Sequence, residues 1–228
     1  MRGVVKVVLG RLGLLYAARR VLERNSVSLS EVGAVLNFWC GGGRIIRRWT
    51  DLPAEIHGCD YNPVFIDWCR RRLSFAQFET NGLEPPLPYT DARFDLIYAL
   101  FVFTHLPEPL QSRWLAELAR VLRPSGHLII STYGATYLDT LSDPEQARFH
   151  AGQLVVRDGD SAGSNRCAVF CSADYLRRHL EPRFRLREHV TRGARGNPPQ
   201  DLALLQLRVP SSSTRPTSDY TDPGVPRA

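Results

Sequence analysis

The feature that most constrains this chain is the stretch from Val35 to Arg44, where a short apolar run ends in Gly41, Gly42 and Gly43 and passes into Ile45, Ile46, Arg47, Arg48 and Trp49. Such a run reads as strand, tight turn, helix. Glycine lets the backbone turn sharply and lets a ligand approach N–H groups that a Cβ would shield, and the helix start beyond it offers unpaired donors. Turns of this kind also serve as bare connectors, so the ligand-loop reading needs a second element. Residues 54–60 supply it: they read as another short strand, ending on Asp60. An acid roughly 20 residues past a glycine loop has the spacing that sets a carboxylate on ribose hydroxyls. Asp60 also suits a helix start, because Tyr61, Asn62 and Pro63 follow; the two roles are compatible.

With 228 residues the chain supports one good-sized core. Its five cysteines, Cys40, Cys59, Cys69, Cys167 and Cys171, are odd in number and scattered, as expected of reduced thiols in a cytoplasmic protein. No metal site is expected, since Cys167 and Cys171 with His179 lack a fourth ligand. The net charge of +6 is arginine-based, Lys6 being the sole lysine. A dense group at Arg177, Arg178, Arg183, Arg185, Arg187, Arg192 and Arg195 suits an acidic partner or a solvated face. It lacks the interleaved aromatics that stack bases, which argues against nucleic acid.

In chain order, residues 1–30 are apolar and basic, and are expected to form one or two short helices across the mouth of the glycine loop. No run there reaches the roughly 18 uncharged apolar residues that span a bilayer; a peripheral membrane contact is the sharper alternative. Beyond the Ala34–Phe38 strand, the pattern predicts a helix from about Arg44, strand 55–60, helix 63–73 and strand 75–80. Strands alternating with helices mean parallel βαβ units and an α/β sheet. Phe94–Phe101 reads as a central strand covered on both faces, Trp114–Leu122 as an amphipathic helix stopped by 123–126, and His127–Ser131 as the next strand. The alternation lapses over 133–172, where 153–157 and 165–170 suggest a hairpin on the substrate side. Asp174–Leu180 reads as a helix, with closing strands at 183–190 and 201–208. The domain is expected to run 31–209, followed by a disordered tail over 210–228, where Ser, Thr, Pro and Asp dominate.

Together, the glycine loop, Gly58-Cys59-Asp60-Tyr61-Asn62, Asn81 to Pro88, Phe94 to Ala99, Phe103-Thr104-His105-Leu106 and Arg120 to Gly126 resemble the class I S-adenosylmethionine-dependent methyltransferases over about 32–208. The resemblance implies a Rossmann-like fold: a seven-stranded, mostly parallel sheet with its last strand antiparallel, helices on both faces, and S-adenosylmethionine or its product S-adenosylhomocysteine across the strands' carboxyl ends. Residue by residue, Gly41 and Gly43 would lie under the cofactor, Asp60 would hold the ribose, Tyr61 would pack near the adenine, and Asn81, Gly82 and Leu83 would border it. Phe101 to His105 would leave the fourth strand where the methyl group is transferred. His105 is the candidate base, because imidazole titrates in the range needed to take a proton from a hydroxyl or ammonium acceptor.

Two positions depart from the family's loop: Asn37 stands where the family has an acid, and Trp39 where it has its first glycine. Asn37 would meet the methionine portion of the cofactor without a charge. Trp39 must either fill that space or turn into the core. The expected function is methyl transfer to a small molecule, a natural product or sugar, at oxygen or nitrogen. The alternative is a methyltransferase fold that has lost methyl transfer and works as a repurposed enzyme or binding partner.

Overall fold

The computed structural model describes residues 16–194 and 198–209. A helix, α1, covers 16–24. There follow β1 (Ala34–Phe38), β2 (Glu55–Asp60), α2 (Pro63–Arg72), β3 (Gln77–Thr80), β4 (Phe94–Ala99), α3 (Glu108–Val121), β5 (Leu122–Thr132), α4 (Asp143–His150), β6 (Val155–Arg157), β7 (Ala168–Phe170), α5 (Ala173–Leu180), β8 (Phe184–Ala194) and β9 (Gln200–Leu207). The seven-stranded sheet has the order β3-β2-β1-β4-β5-β9-β8. The first five strands pair in parallel, and β9 runs antiparallel to both β5 and β8. This is the expected Rossmann-like α/β architecture, and the hairpin of the insertion forms as a separate β6–β7 pair.

Strand periodicity explains the two main cores, because successive side chains point to opposite faces. Leu36, Phe38, Ile97, Leu128 and Ile130 face α3 and α5, where they meet Trp114, Leu118 and Leu176. Val35, Leu96, Tyr98, Ile129 and Leu204 face the other way, against Leu22 of α1 and Ile66 of α2. A strand buried on both faces must be apolar at nearly every position, which is why β1 and β4 read as continuous hydrophobic runs. The insertion holds a small core of its own, Leu141, Phe149, Val155 and Phe170, with Tyr133 and Tyr137 against it.

One expected element is missing. No α-helix follows the glycine loop; the chain turns through 41–45 and makes a single 3-10 turn, Ile46–Arg48. Ile46 and Trp49, three residues apart, are both fully buried, a spacing that eclipses in a 3-10 turn. Pro53 then disfavours helical backbone at Leu52. Arg19 of α1 fixes the segment from outside, its guanidinium lying 5.1 Å from the Trp49 ring centre and 2.7 Å from an Asp51 oxygen.

The third helix is longer than its amphipathic stretch, starting at Glu108 with Pro109 in its first turn. The next strand begins directly after it at Leu122, with a bulge opposite Phe94 and Leu96. The expected N-terminal lid is described only from residue 16. There α1 packs Ala18, Val21 and Leu22 onto a sheet face and pairs Arg24 with Glu188 of β8. Residues 1–15 and the expected disordered tail lie outside the described residues. Among the described residues, no helix is long and apolar enough to cross a membrane.

Candidate functional site

The carboxyl ends of β1, β2 and β3 meet at Asp60. One oxygen of its carboxylate accepts the Gly41 N–H at 2.8 Å and the other accepts the Asn62 N–H at 2.9 Å. Its backbone carbonyl accepts the Asn81 N–H at 3.1 Å. The Asn62 side chain caps α2 by accepting the Val64 N–H, so helix capping falls to Asn62 and leaves Asp60 to the loop. Burial raises the Asp60 pKa, against the two backbone donors, which lower it. Gly41 and Gly43 both take positive φ, +53° and +65°. At Gly43 a side chain is excluded twice over, since a Cβ would also come within 2.5 Å of Leu73.

Asn81 is buried and gives its side-chain N–H to the Gly82 carbonyl at 2.6 Å, which leaves its Oδ1 as a buried acceptor without a partner. Asn37 is also buried with Oδ1 unpaired, its amide N–H reaching Tyr98 O at 3.4 Å. Alternation along β1 puts Asn37 on the face of Val35, the α1 side, whereas Trp39 and Tyr61 lie on the other.

Trp39 keeps the glycine-like backbone of the family's loop without being glycine, with φ +55°. That conformation breaks the strand alternation, so Trp39 falls on the same face as its neighbour Phe38, ring centres 5.5 Å apart. The half-buried indole is packed against Trp114 at 6.3 Å and the edge of Tyr61 at 5.0 Å, and its buried Nε1–H has no acceptor. Of the two expectations for this residue, turning toward the core is the one observed.

Past β4, Phe101 takes φ +63°. It is held there by a relay in which its N–H donates to Ser131 Oγ at 2.8 Å and Ser131 donates to Gln200 Oε1 at 2.6 Å. His105 ends a 3-10 turn, Phe103–His105. Its Nδ1 lies 2.7 Å from the carbonyl oxygen of Cys167. A carbonyl only accepts, so Nδ1 carries the hydrogen and the neutral ring keeps a lone pair on Nε2. Thr104 is fully buried, its hydroxyl without a partner.

The structure therefore gathers Gly41, Asp60, Tyr61, Asn81, Gly82, Leu83 and Trp39 around the ends of β1 to β3, with Phe101 and His105 past the end of β4. Sequence reasoning missed Gly163 of the insertion. Its N–H donates to His105 O at 2.8 Å, and its carbonyl accepts the Tyr61 hydroxyl at 3.0 Å. No local pattern marks it, because both contacts cross long stretches of chain. The arginine-rich stretch is partly engaged within the protein, with Arg177 paired to Asp174 and Arg178 donating to the Gly152 carbonyl.

A methyltransferase domain model matches residues 36–130. The malonyl-[acyl-carrier protein] O-methyltransferase of Pseudescherichia vulneris is 27% identical over 164 residues, 68% of this chain and 64% of its own length. The fatty-acid O-methyltransferase of Mycolicibacterium smegmatis is 38% identical over 98 residues, 42% of this chain and 35% of its own. The chain thus spans a third to two thirds of the length of these curated relatives. Among solved structures, the 1,6-didemethyltoxoflavin-N1-methyltransferase of Burkholderia thailandensis, with bound 1,6-didemethyltoxoflavin and S-adenosylhomocysteine, superposes with a TM-score of 0.61. That match has 17% identity and covers 86% of this chain and 79% of the other. The strand order and a domain match running from β1 into β5 agree: residues 36–130 match a methyltransferase domain, and the chain has the Rossmann-like fold of class I S-adenosylmethionine-dependent methyltransferases.

Proposed function

We propose that this protein is a methyltransferase that uses S-adenosylmethionine and acts on a small molecule, a natural product or sugar, at oxygen or nitrogen. The observation that carries the reading is Asp60, a buried carboxylate fixed between the glycine loop and the end of β3, beside the unpaired acceptor of Asn81. These groups fit an adenosine: a carboxylate for the ribose diol and an amide oxygen for an exocyclic amine. Bound S-adenosylmethionine supplies an electrophilic methyl group on a sulfonium. The protein's part is to hold the acceptor in line and to take its proton.

Nε2 of His105 is the group for that proton, and the Cys167 carbonyl keeps it in the accepting tautomer. A hydroxyl acceptor makes fullest use of this base, since an alcohol must lose its proton as the new bond forms. The relatives' names cover O-methylation of a malonyl carrier and of a fatty acid, and the structural neighbour's covers an N1 position. Fold alone does not choose among such acceptors. Five free, buried cysteines suit a cytoplasmic setting. Asn37 favours the second reading, a repurposed fold without methyl transfer, because it leaves the methionine portion of the cofactor's site without the acid that the family has there.

The test is binding of S-adenosylhomocysteine by calorimetry, with mass spectrometry of any nucleoside released from purified protein. The parent should bind, and Asp60→Ala should bind more than about tenfold more weakly through loss of a charged acceptor. Equal affinities would remove Asp60 from the site. No binding by the parent would favour the repurposed fold.

A further inference from the structure

Gly163 lies in the space that Trp39, Tyr61 and Leu83 frame. A Cβ built on it would come within 2.5 Å of Leu83 Cδ1 and 3.3 Å of Trp39 Cη2, so its backbone rests directly on both side chains. Its φ of +79° belongs to glycine. Two hydrogen bonds fasten it, from its N–H to the His105 carbonyl and from the Tyr61 hydroxyl to its own carbonyl. Four residues later the same segment supplies the carbonyl that fixes the His105 ring.

We propose that Gly163 is an internal plug at the adenosine end of the site, and that the tip of the insertion around it must lift from Trp39 and Tyr61 before the cofactor can enter. The proposal rests on the cofactor reading above, which places adenine between Tyr61 and Leu83. Lifting the tip breaks the Gly163 bond to the His105 carbonyl, while Cys167, fully buried in the main core, keeps its own carbonyl on the imidazole. The base therefore stays assembled while the cofactor enters and is bound. The closed form is secured by two hydrogen bonds and a glycine contact, so the open form is within reach of thermal opening, and the apparent Kd equals the intrinsic Kd divided by the open fraction.

The plug makes an unusual demand, that damage to a site contact should improve binding. Gly163→Ala puts a Cβ against Leu83 in a left-handed backbone and weakens the closed form, so S-adenosylhomocysteine should associate about five- to tenfold faster and bind tighter by a similar factor. Tyr61→Phe keeps the ring and removes the hydroxyl latch, and should act in the same direction by about threefold. Stopped-flow fluorescence gives the rates, which in the parent should level off at high ligand concentration at the opening rate. The indole N–H signal of Trp39 in a 1H–15N spectrum should shift on binding.

Should Gly163→Ala fail to fold, Tyr61→Phe decides. Equal or slower association in the variants, with a rate in the parent that rises linearly and a Trp39 signal that stays put, would overturn the plug and leave the cofactor reading standing. Absence of binding in parent and variants alike would overturn both.

Discussion

Replacing Trp39 by glycine should cost this protein far less than loss of a tryptophan ordinarily does. Deleting a fully buried aromatic side chain costs roughly 3–5 kcal/mol, and Trp39, only partly exposed, stands at roughly 2–4 kcal/mol. Glycine adds a further roughly 0.5–1 kcal/mol of chain entropy to be lost on folding. Against these stand two strains that the replacement relieves. A left-handed backbone at a residue with a Cβ costs roughly 1–2 kcal/mol, and Trp39 has φ +55°. A buried donor without an acceptor costs roughly 1–3 kcal/mol, and the Trp39 Nε1–H is such a donor. The opposing sums nearly cancel, so Trp39→Gly should change stability by no more than about 1 kcal/mol.

Trp114 provides the comparison. It is fully buried and its Nε1–H is bonded to Leu83 O at 3.0 Å, so Trp114→Ala should lose roughly 3–5 kcal/mol. Urea unfolding of both variants against the parent, with equal slopes as the check on two-state behaviour, reads the difference directly. If Trp39→Gly loses as much as Trp114→Ala, the indole is an unstrained part of the core and the reasoning fails.

Two further expectations concern the base and the insertion. The neutral His105 imidazole should show a protonated Nδ1 and an unprotonated Nε2 in its 15N shifts, and once an acceptor is known His105→Ala should lower kcat by about 10²–10⁴-fold while leaving cofactor affinity unchanged; an Nε2–H tautomer, or unaltered turnover, would return His105 to a structural role. In the insertion, Arg157, with help from the Ser142 N–H, brings the Glu145 carboxyl down from 4.5 to about 2. A depressed acid contributes stability that is whole above its unfolded pKa and is lost as pH falls through the folded one. Proteolytic sensitivity of 142–157 should therefore rise as pH drops from 4.5 toward 2, and Glu145→Gln should flatten that rise; a profile identical to the parent's would exclude the ion pair as its cause.

The strands were legible because burial writes itself into sequence with a short period. The apolar run of β1, the carboxylate closing β2 and the long run of β4 announce the parallel sheet, and the loop residues Gly41 and Asp60 follow from their spacing. The helix expected after the glycines was misread because Ile46 and Trp49 satisfy a three-residue repeat as well as a helical one, and only the short path to β2 with Pro53 decides between them. The direction of the Trp39 ring depends on one dihedral angle, which composition does not encode. Gly163 was invisible for a different reason: its partners, Tyr61 and His105, are brought to it by the folded sheet, and a glycine flanked by Ala162 and Ser164 looks like any loop.

The lost helix bears on which ligands the loop rejects. A helix starting behind the glycines would offer free N–H groups and the positive end of its dipole, the means by which dinucleotide folds hold a pyrophosphate. Here the Gly41 N–H is bound to Asp60 and the Gly43 N–H to Cys40 O, while the N–H groups of Arg47, Arg48 and Trp49 are bound within the turn itself. The Arg47 guanidinium is folded back onto the Gly42 carbonyl and the Trp68 ring. A phosphate brought to this loop would find the Gly41 and Gly43 N–H groups engaged and a carboxylate facing it, whereas a neutral ribose meets no such repulsion. A preference for a nucleoside over a nucleotide would then come from the Asp60 carboxylate and the backbone N–H that it occupies, with no added side chain needed to enforce it.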